Sequence, residues 1–207
     1  MFKLTCTWFV VAAMLLLSGS VLAPQTVLAK NKVVVIPLFG DEGITCSGAR
    51  WSNTGQSANG RWCDNGDGTV TDLLGYNGKG KGLVWLKDAG WGGQRAWRVN
   101  MVDSHNDAHT RAGTLSSGTA GLTDGSVLGD WRLPTLKELV ALTKGTHQIR
   151  SDSPGPFNGI QWSWYWSGTT SENFWSMAWY VFLSGNASDS SVVKTASGYV
   201  WPVRGGQ

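Results

Sequence analysis

Thirteen tryptophans and 28 glycines share a chain of 207 residues in which only 15% are charged. That combination narrows the fold more than any single motif. Glycine at this density interrupts helices and long strands and favours turns, so the chain must be rich in loops. Large indole rings then supply the anchoring contacts that long regular elements supply elsewhere. The same ring stacks on flat ligands and anchors interfaces, so abundance alone leaves both uses open.

The N-terminus sets the compartment. Lys3 precedes an unbroken apolar run over residues 8–17, and small residues follow up to Val27-Leu28-Ala29. This is the layout of a secretory signal peptide, predicted to be cut after Ala29. The run is too short for a spanning helix of about twenty residues. Removing residues 1–29 from the 207 leaves 178, enough for one domain with its own core. The expected organisation is a signal peptide over 1–29, an N-terminal strand or tether over 30–45 and a single domain over 46–207. Loss of Lys3 leaves 16 basic against 14 acidic residues. Nucleic acid is not expected as a partner, because it needs a concentrated basic face. Cys6 leaves with the leader, while Cys46 and Cys63 remain as an even pair. In an oxidising compartment they are predicted to form a disulfide.

Along the chain, Val33-Val34-Val35-Ile36 reads as a short strand stopped by Pro37, and residues 40–61 as an aperiodic loop. Asp64-Asn65-Gly66-Asp67-Gly68 is predicted to be a tight turn between two short strands. As a calcium loop it fails: with Gly68 at the sixth position, Asn65 and Asp67 fit, but Cys63 stands first and Leu74 replaces the closing glutamate. Residues 76–82 read as a flexible basic loop carrying Lys79 and Lys81, and residues 83–86 as an apolar strand. Ser104 is the expected cap of a first helix, with Asp107 in capping-box position and Ala108, Ala112 and Leu115 on its apolar stripe. His105 and His109 lie four apart on it, but a third ligand (Asp103 or Asp107) is not fixed by the spacing, so no metal is expected. Thr135 and Glu138 open a second helix, with Leu136, Leu139, Val140 and Thr143 turned inward. Residues 178–183, 191–194 and 199–203 read as strands, giving an α+β fold.

The segments DNGDGTVTD, GLVWLKDA, GLTDGSVLGDWRLPTLKEL, YWSGTTSENFWSMAWYVFLSG and VRGGQ, in this order, resemble the Lcl C-terminal domain family, the bacterial domain that closes the Legionella collagen-like adhesin. The resemblance covers about residues 61–207, and WRLPT is its most specific piece. WRLPT and the closing VR step are also similar to the formylglycine-generating enzymes. Both groups imply a C-type lectin-like fold with two short helices and short twisted antiparallel sheets. The departures limit what carries over. Formylglycine-generating enzymes use late redox cysteines, and no cysteine follows Cys63. The lectin triplets Glu-Pro-Asn, Gln-Pro-Asp and Trp-Asn-Asp are absent, so a calcium-bridged sugar site is not expected. The adhesin's domain is linked to sulfated glycosaminoglycans and trimerises beside a collagen-like stalk. No Gly-X-Y stalk occurs in this chain, so neither trimer nor ligand transfers directly.

No G-x-S-x-G, phosphate loop or zinc motif appears, so the reading is a binding module without catalytic residues or cofactor, not an enzyme. Trp85, Trp131, Trp166 and Trp179 are expected in the core, with Arg132 a structural partner at the second helix start. Trp162, Trp164 and Trp175 stand among short polar residues and are the candidate ligand rings, the first two on one face of an extended segment. Lys79 and Lys81, with Arg95 and Arg98, are the candidate contacts for an anionic polymer. The expected function is a secreted or cell-envelope module that recognises glycans, anionic or sulfated polysaccharide included, in adhesion. The alternative is a protein-interaction or structural subunit of an extracellular assembly, with C-terminal loops open to diversification. Its partners would be an extracellular glycan or a surface protein, with a homo-oligomer also open.

Overall fold

The structure, a computed structural model, describes residues 25–29, 32–36, 44–98, 106–184 and 187–205. The chain divides into two units, Met1–Gly43 and Ile44–Gln207. In the first, β1 (Gln25–Ala29) and β2 (Lys32–Ile36) pair antiparallel, so the valine run does form a strand. All other elements belong to the second unit.

Among the described residues that unit holds two sheets and two short helices. The six-stranded sheet contains β3 (Ala49–Ser52), β4 (Gly55–Gln56), β5 (Trp62–Asp64), β6 (Thr69–Asp72) and β7 (Val84–Leu86). After β8 (Gln94–Ala96) come α1 (Ala108–Gly113) and α2 (Leu136–Leu142). Then follow β9 (Trp164–Thr170), β10 (Met177–Phe182), β11 (Ser188–Val193), β12 (Ser197–Tyr199) and β13 (Val203–Arg204). The first sheet runs β13-β7-β6-β5-β3-β4, and the five-stranded one β11-β10-β9-β12-β8. Every pair is antiparallel except β9 with β12.

The expected strand over residues 199–203 is two strands in two sheets. Pro202 lacks an N–H for a ladder, and the buried residues Val200 and Trp201 carry the chain from one sheet to the other. Trp201 is the hub of that crossing. Its ring packs on Trp85, Phe157 and Tyr165 at centroid distances of 5.1, 5.0 and 5.5 Å, and its Nε1 donates to the Leu86 carbonyl at 2.8 Å. Around it lies the main core, with Trp62, Trp85, Leu139 and Val181. A second cluster gathers Trp97, Trp166, Ala178 and Val200 with Ala108 and Ala112 of α1.

Several local expectations hold. Asp64 to Gly68 is the turn of the β5–β6 hairpin, with Gly66 N–H on the Asp64 carboxylate and Thr69 N–H on that of Asp67. Cys46 and Cys63 are disulfide-bonded. Thr135 caps α2 in a full capping box with Glu138. Three expectations need correction. The stretch 40–61, read as loop, contains the β3–β4 hairpin, because Trp51 packs on the main core and draws its flanks into the sheet. The first helix is capped by Asp107, whose carboxylate accepts the Thr110 N–H; Ser104 lies outside the described residues. Residues 76–79 form a defined tight turn, closed by reciprocal Tyr76–Lys79 backbone hydrogen bonds of 2.8 and 3.0 Å. Asn77 and Gly78 supply the positive φ at both central positions (49° and 70°) that such a turn demands.

Candidate functional site: a groove at the start of α2

The groove is built from three pieces. The first is the lysine loop, anchored at its base by a buried ion pair. Asp72 ends β6, and its Oδ1 accepts the Leu74 and Gly75 N–H groups at 3.1 and 2.8 Å. Arg61 holds the same carboxylate from Nε at 2.8 Å and from Nη2, and it also donates from Nη1 to the Lys144 carbonyl and from Nη2 to the Ala141 carbonyl, near the end of α2. Arg61 is 0% and Asp72 1% exposed. The loop is thereby tied to both the sheet and the helix.

The second piece is the first turn of α2. Glu138 accepts the Thr135 N–H at 2.7 Å and both Arg132 Nη groups at 2.8 and 2.9 Å. Burial would raise its pKa, but the hydrogen bonds and charge of Arg132 and the Thr135 N–H hold it below the usual value. Arg132 is thus the structural partner expected, and Glu138 is neutralised locally.

The third piece is an irregularity between β9 and β10. Ladder pairing shifts between Ala178 and Tyr180, freeing the middle of β9 to bond elsewhere. Ser167 Oγ donates to the Trp179 carbonyl at 2.8 Å, Gly168 N–H donates to Pro134, and Thr169 Oγ1 accepts the Leu136 N–H at 3.0 Å. The shift aims Trp179 into the groove.

Lys79, Lys81, Lys137, Thr135, Thr169, Glu172 and Trp179 line the resulting space of about 600 Å³. Besides Glu138, which Arg132 engages, the lining holds one further carboxylate, Glu172, and three lysines. A half-buried indole, hydroxyls and ammonium groups are the chemistry that holds a hydroxylated ligand carrying negative charge.

Trp85, Trp131 and Trp166 are buried as expected, but Trp179 is half-buried and lines the groove. The continuous apolar run of β10 hid this. Alternation with buried Ala178 and Val181 could not reveal it without the irregular pairing. The structure brings Lys79 and Lys81 to this groove and leaves the other candidates elsewhere. Trp162 sits in a bend before β9 against the main core. Trp164 shares a face with Trp166, edge-on at 5.0 Å, and packs on the second cluster. The two rings therefore do not make one platform. Trp175 is 78% exposed, beside Phe174 at 57%, at the tip of the β9–β10 loop.

Arg95 lies on β8, and Arg98 stands 3.9 Å from Asp107. His109 packs edge-on to Trp97 at 4.4 Å; His105 lies outside the described residues. Among the described residues no group of three His, Cys, Asp or Glu could hold a metal ion. Nor, among them, is any helix long and apolar enough to cross a membrane.

A family model for the Lcl C-terminal domain matches residues 68–204. No curated protein and no solved structure matches the chain. The match spans well over half of the sequence, so the chain belongs to the Lcl C-terminal domain family, and that membership suggests an adhesin-associated extracellular domain. The disulfide fits the same setting.

Proposed function

We propose that this member of the family is a secreted or envelope-held recognition module that binds glycans, anionic ones included, in adhesion. It acts as a binding module and not as an enzyme. The observation that carries the reading is Trp179 lining one groove with Lys79 and Lys81. The indole would cover the apolar C–H face of a sugar ring, Thr135 and Thr169 would meet its hydroxyls, and the lysines would meet acidic substituents. The two short helices beside mostly antiparallel sheets support the C-type lectin-like arrangement that the family resemblance implies. Residues 1–29 are proposed as the signal peptide that exports it.

A glycan array read at two salt concentrations tests the function. Binding should weaken as salt rises, because exposed charges are screened within about 10 Å at 0.1 M. Trp179→Ala and the pair Lys79→Gln/Lys81→Gln should remove the binding that the groove supplies. An array without a salt-sensitive hit ends the proposal.

A second reading rests on Phe174 and Trp175, which stand in solvent on a loop closed by the Ser171–Met177 and Met177–Phe174 backbone hydrogen bonds. Such a pair suits a protein partner in a surface assembly. Trp175→Ala would then abolish capture of that partner and leave glycan binding intact.

A further inference from the structure

We infer that the five-stranded sheet carries a second, separate ligand strip, in which Trp164 and Phe182 seat the ring of a uronic acid and Arg95 takes its carboxylate. This rests on the glycan reading but not on the groove.

The strip follows from strand order. Side chains alternate across a sheet, so Tyr180 and Phe182 share one face of β10. Phe182 stands opposite Trp164 in the ladder with β9, and the Tyr180 and Trp164 rings lie 5.0 Å apart. The next strand is β12, where Gly198 offers no side chain. A Cβ placed there would come within 2.5 Å of the Trp164 ring, so the indole lies across the bare backbone. Beyond it, Gly198 pairs with Arg95 on β8. In the other direction, Ser190 and Ser188 of β11 stand opposite Tyr180 and Phe182, and both are exposed. One face therefore reads hydroxyls, aromatic rings, bare glycine, guanidinium. From β10 to β8 this crosses three strand spacings, about 14 Å.

Among the described residues the charge at the β8 end has no paired carboxylate. Arg95 donates Nη1 to the Gln94 carbonyl at 2.7 Å, and no carboxylate of the described residues forms an ion pair with it. Arg111 stacks on Trp91 at 3.9 Å and likewise has no carboxylate partner there. Its pKa is lowered, chiefly by burial and also by the charge of Arg95, so the two guanidiniums feel each other. Two cations that no carboxylate of the described residues pairs with favour an anion from outside. A carboxylate bonded directly to a sugar ring lies at that ring's own edge. A ring stacked flat on Trp164 can therefore present it along the sheet to Arg95, in the planar geometry a guanidinium prefers.

The full exported chain, titrated calorimetrically with a galacturonate tetramer and with the methyl ester of that tetramer, tests the assignment. The acid should bind, and the ester at least about tenfold more weakly, since esterification keeps the ring and removes the charge. Arg95→Gln and Phe182→Ala should each weaken the acid by roughly tenfold with an unchanged melting temperature; Phe182 is 37% exposed, so its removal does not threaten the fold. In a Lys79→Gln/Lys81→Gln background, which silences the groove, the acid should still bind more tightly than the ester, and Arg95→Gln and Phe182→Ala should still weaken it. Equal binding of acid and ester, or no binding of either, overturns the strip, while the array decides the glycan reading separately. Loss in the lysine variant with retention in Arg95→Gln places the ligand in the groove, which overturns the strip and leaves the glycan reading standing.

Discussion

Arg61, just before β5, and Asp72, at the end of β6, meet as a fully buried ion pair that ties the lysine loop to α2. Removing one member of a buried pair strands the other charge, at a cost of about 3–5 kcal/mol. Asp72→Asn should therefore lower unfolding free energy by that order in urea melts. It should also weaken any ligand that uses Lys79, because Asp72 also holds the Leu74 and Gly75 N–H groups. An Asp72→Asn protein as stable as the parent would contradict this anchoring.

The Cys46–Cys63 bridge closes a separation of 17 residues. Loop-closure entropy makes that worth about 3 kcal/mol. Protein recovered from the export compartment should gain two hydrogens on reduction by intact mass, and the reduced form should melt lower. Two alkylatable thiols before reduction would refute the bridge.

Tryptophan truncations should separate by depth. Trp166, fully buried with Nε1 donating to the Arg95 carbonyl, should cost about 3–5 kcal/mol on replacement by Ala. Trp175→Ala should stay within about 0.5 kcal/mol, as exposed positions do. Equal losses at the two sites would show that the exposed ring is structural after all.

Burial pushes the His109 imidazole below its ordinary 6.5, an effect that Asp107 opposes and Arg98 and Lys194 reinforce. The unfolded chain then takes up the proton first as pH falls, so His109 favours the folded state above 6.5 and that stability is lost progressively below it. Urea midpoints should decline on acidification from pH 7, and His109→Gln should flatten part of the decline. An identical slope in the variant would assign it to other groups.

The DNGDG carboxylates are engaged in their own turn, and Asp64 is also paired with Lys87 at 2.7 Å. EDTA should therefore leave the melting temperature unchanged. A drop reversed by calcium or zinc would reveal a metal site.

Local chemistry was legible in the chain itself. Asn-Gly and Asp-Gly steps specify tight turns, a Thr with Glu three residues on specifies a capped helix, and the two cysteines left after the leader-like segment point to a bridge. Each of these is decided by residues close in sequence or by the redox compartment. The family resemblance was legible in the same way, through WRLPT and the motifs around it. What the sequence left open depends on residues far apart. Trp179 faces the groove because β9 and β10 slip register, and nothing in MAWYVF encodes the slip. Residues 199–203 divide between two sheets because Trp201 finds Trp85, Phe157 and Tyr165 between them. Trp162 and Trp164 part company because each ring packs on a different core. Turn and cap energies act within a few residues, so sequence alone determines them; the burial of an indole is decided by which distant surface reaches it, and only the tertiary structure settles that.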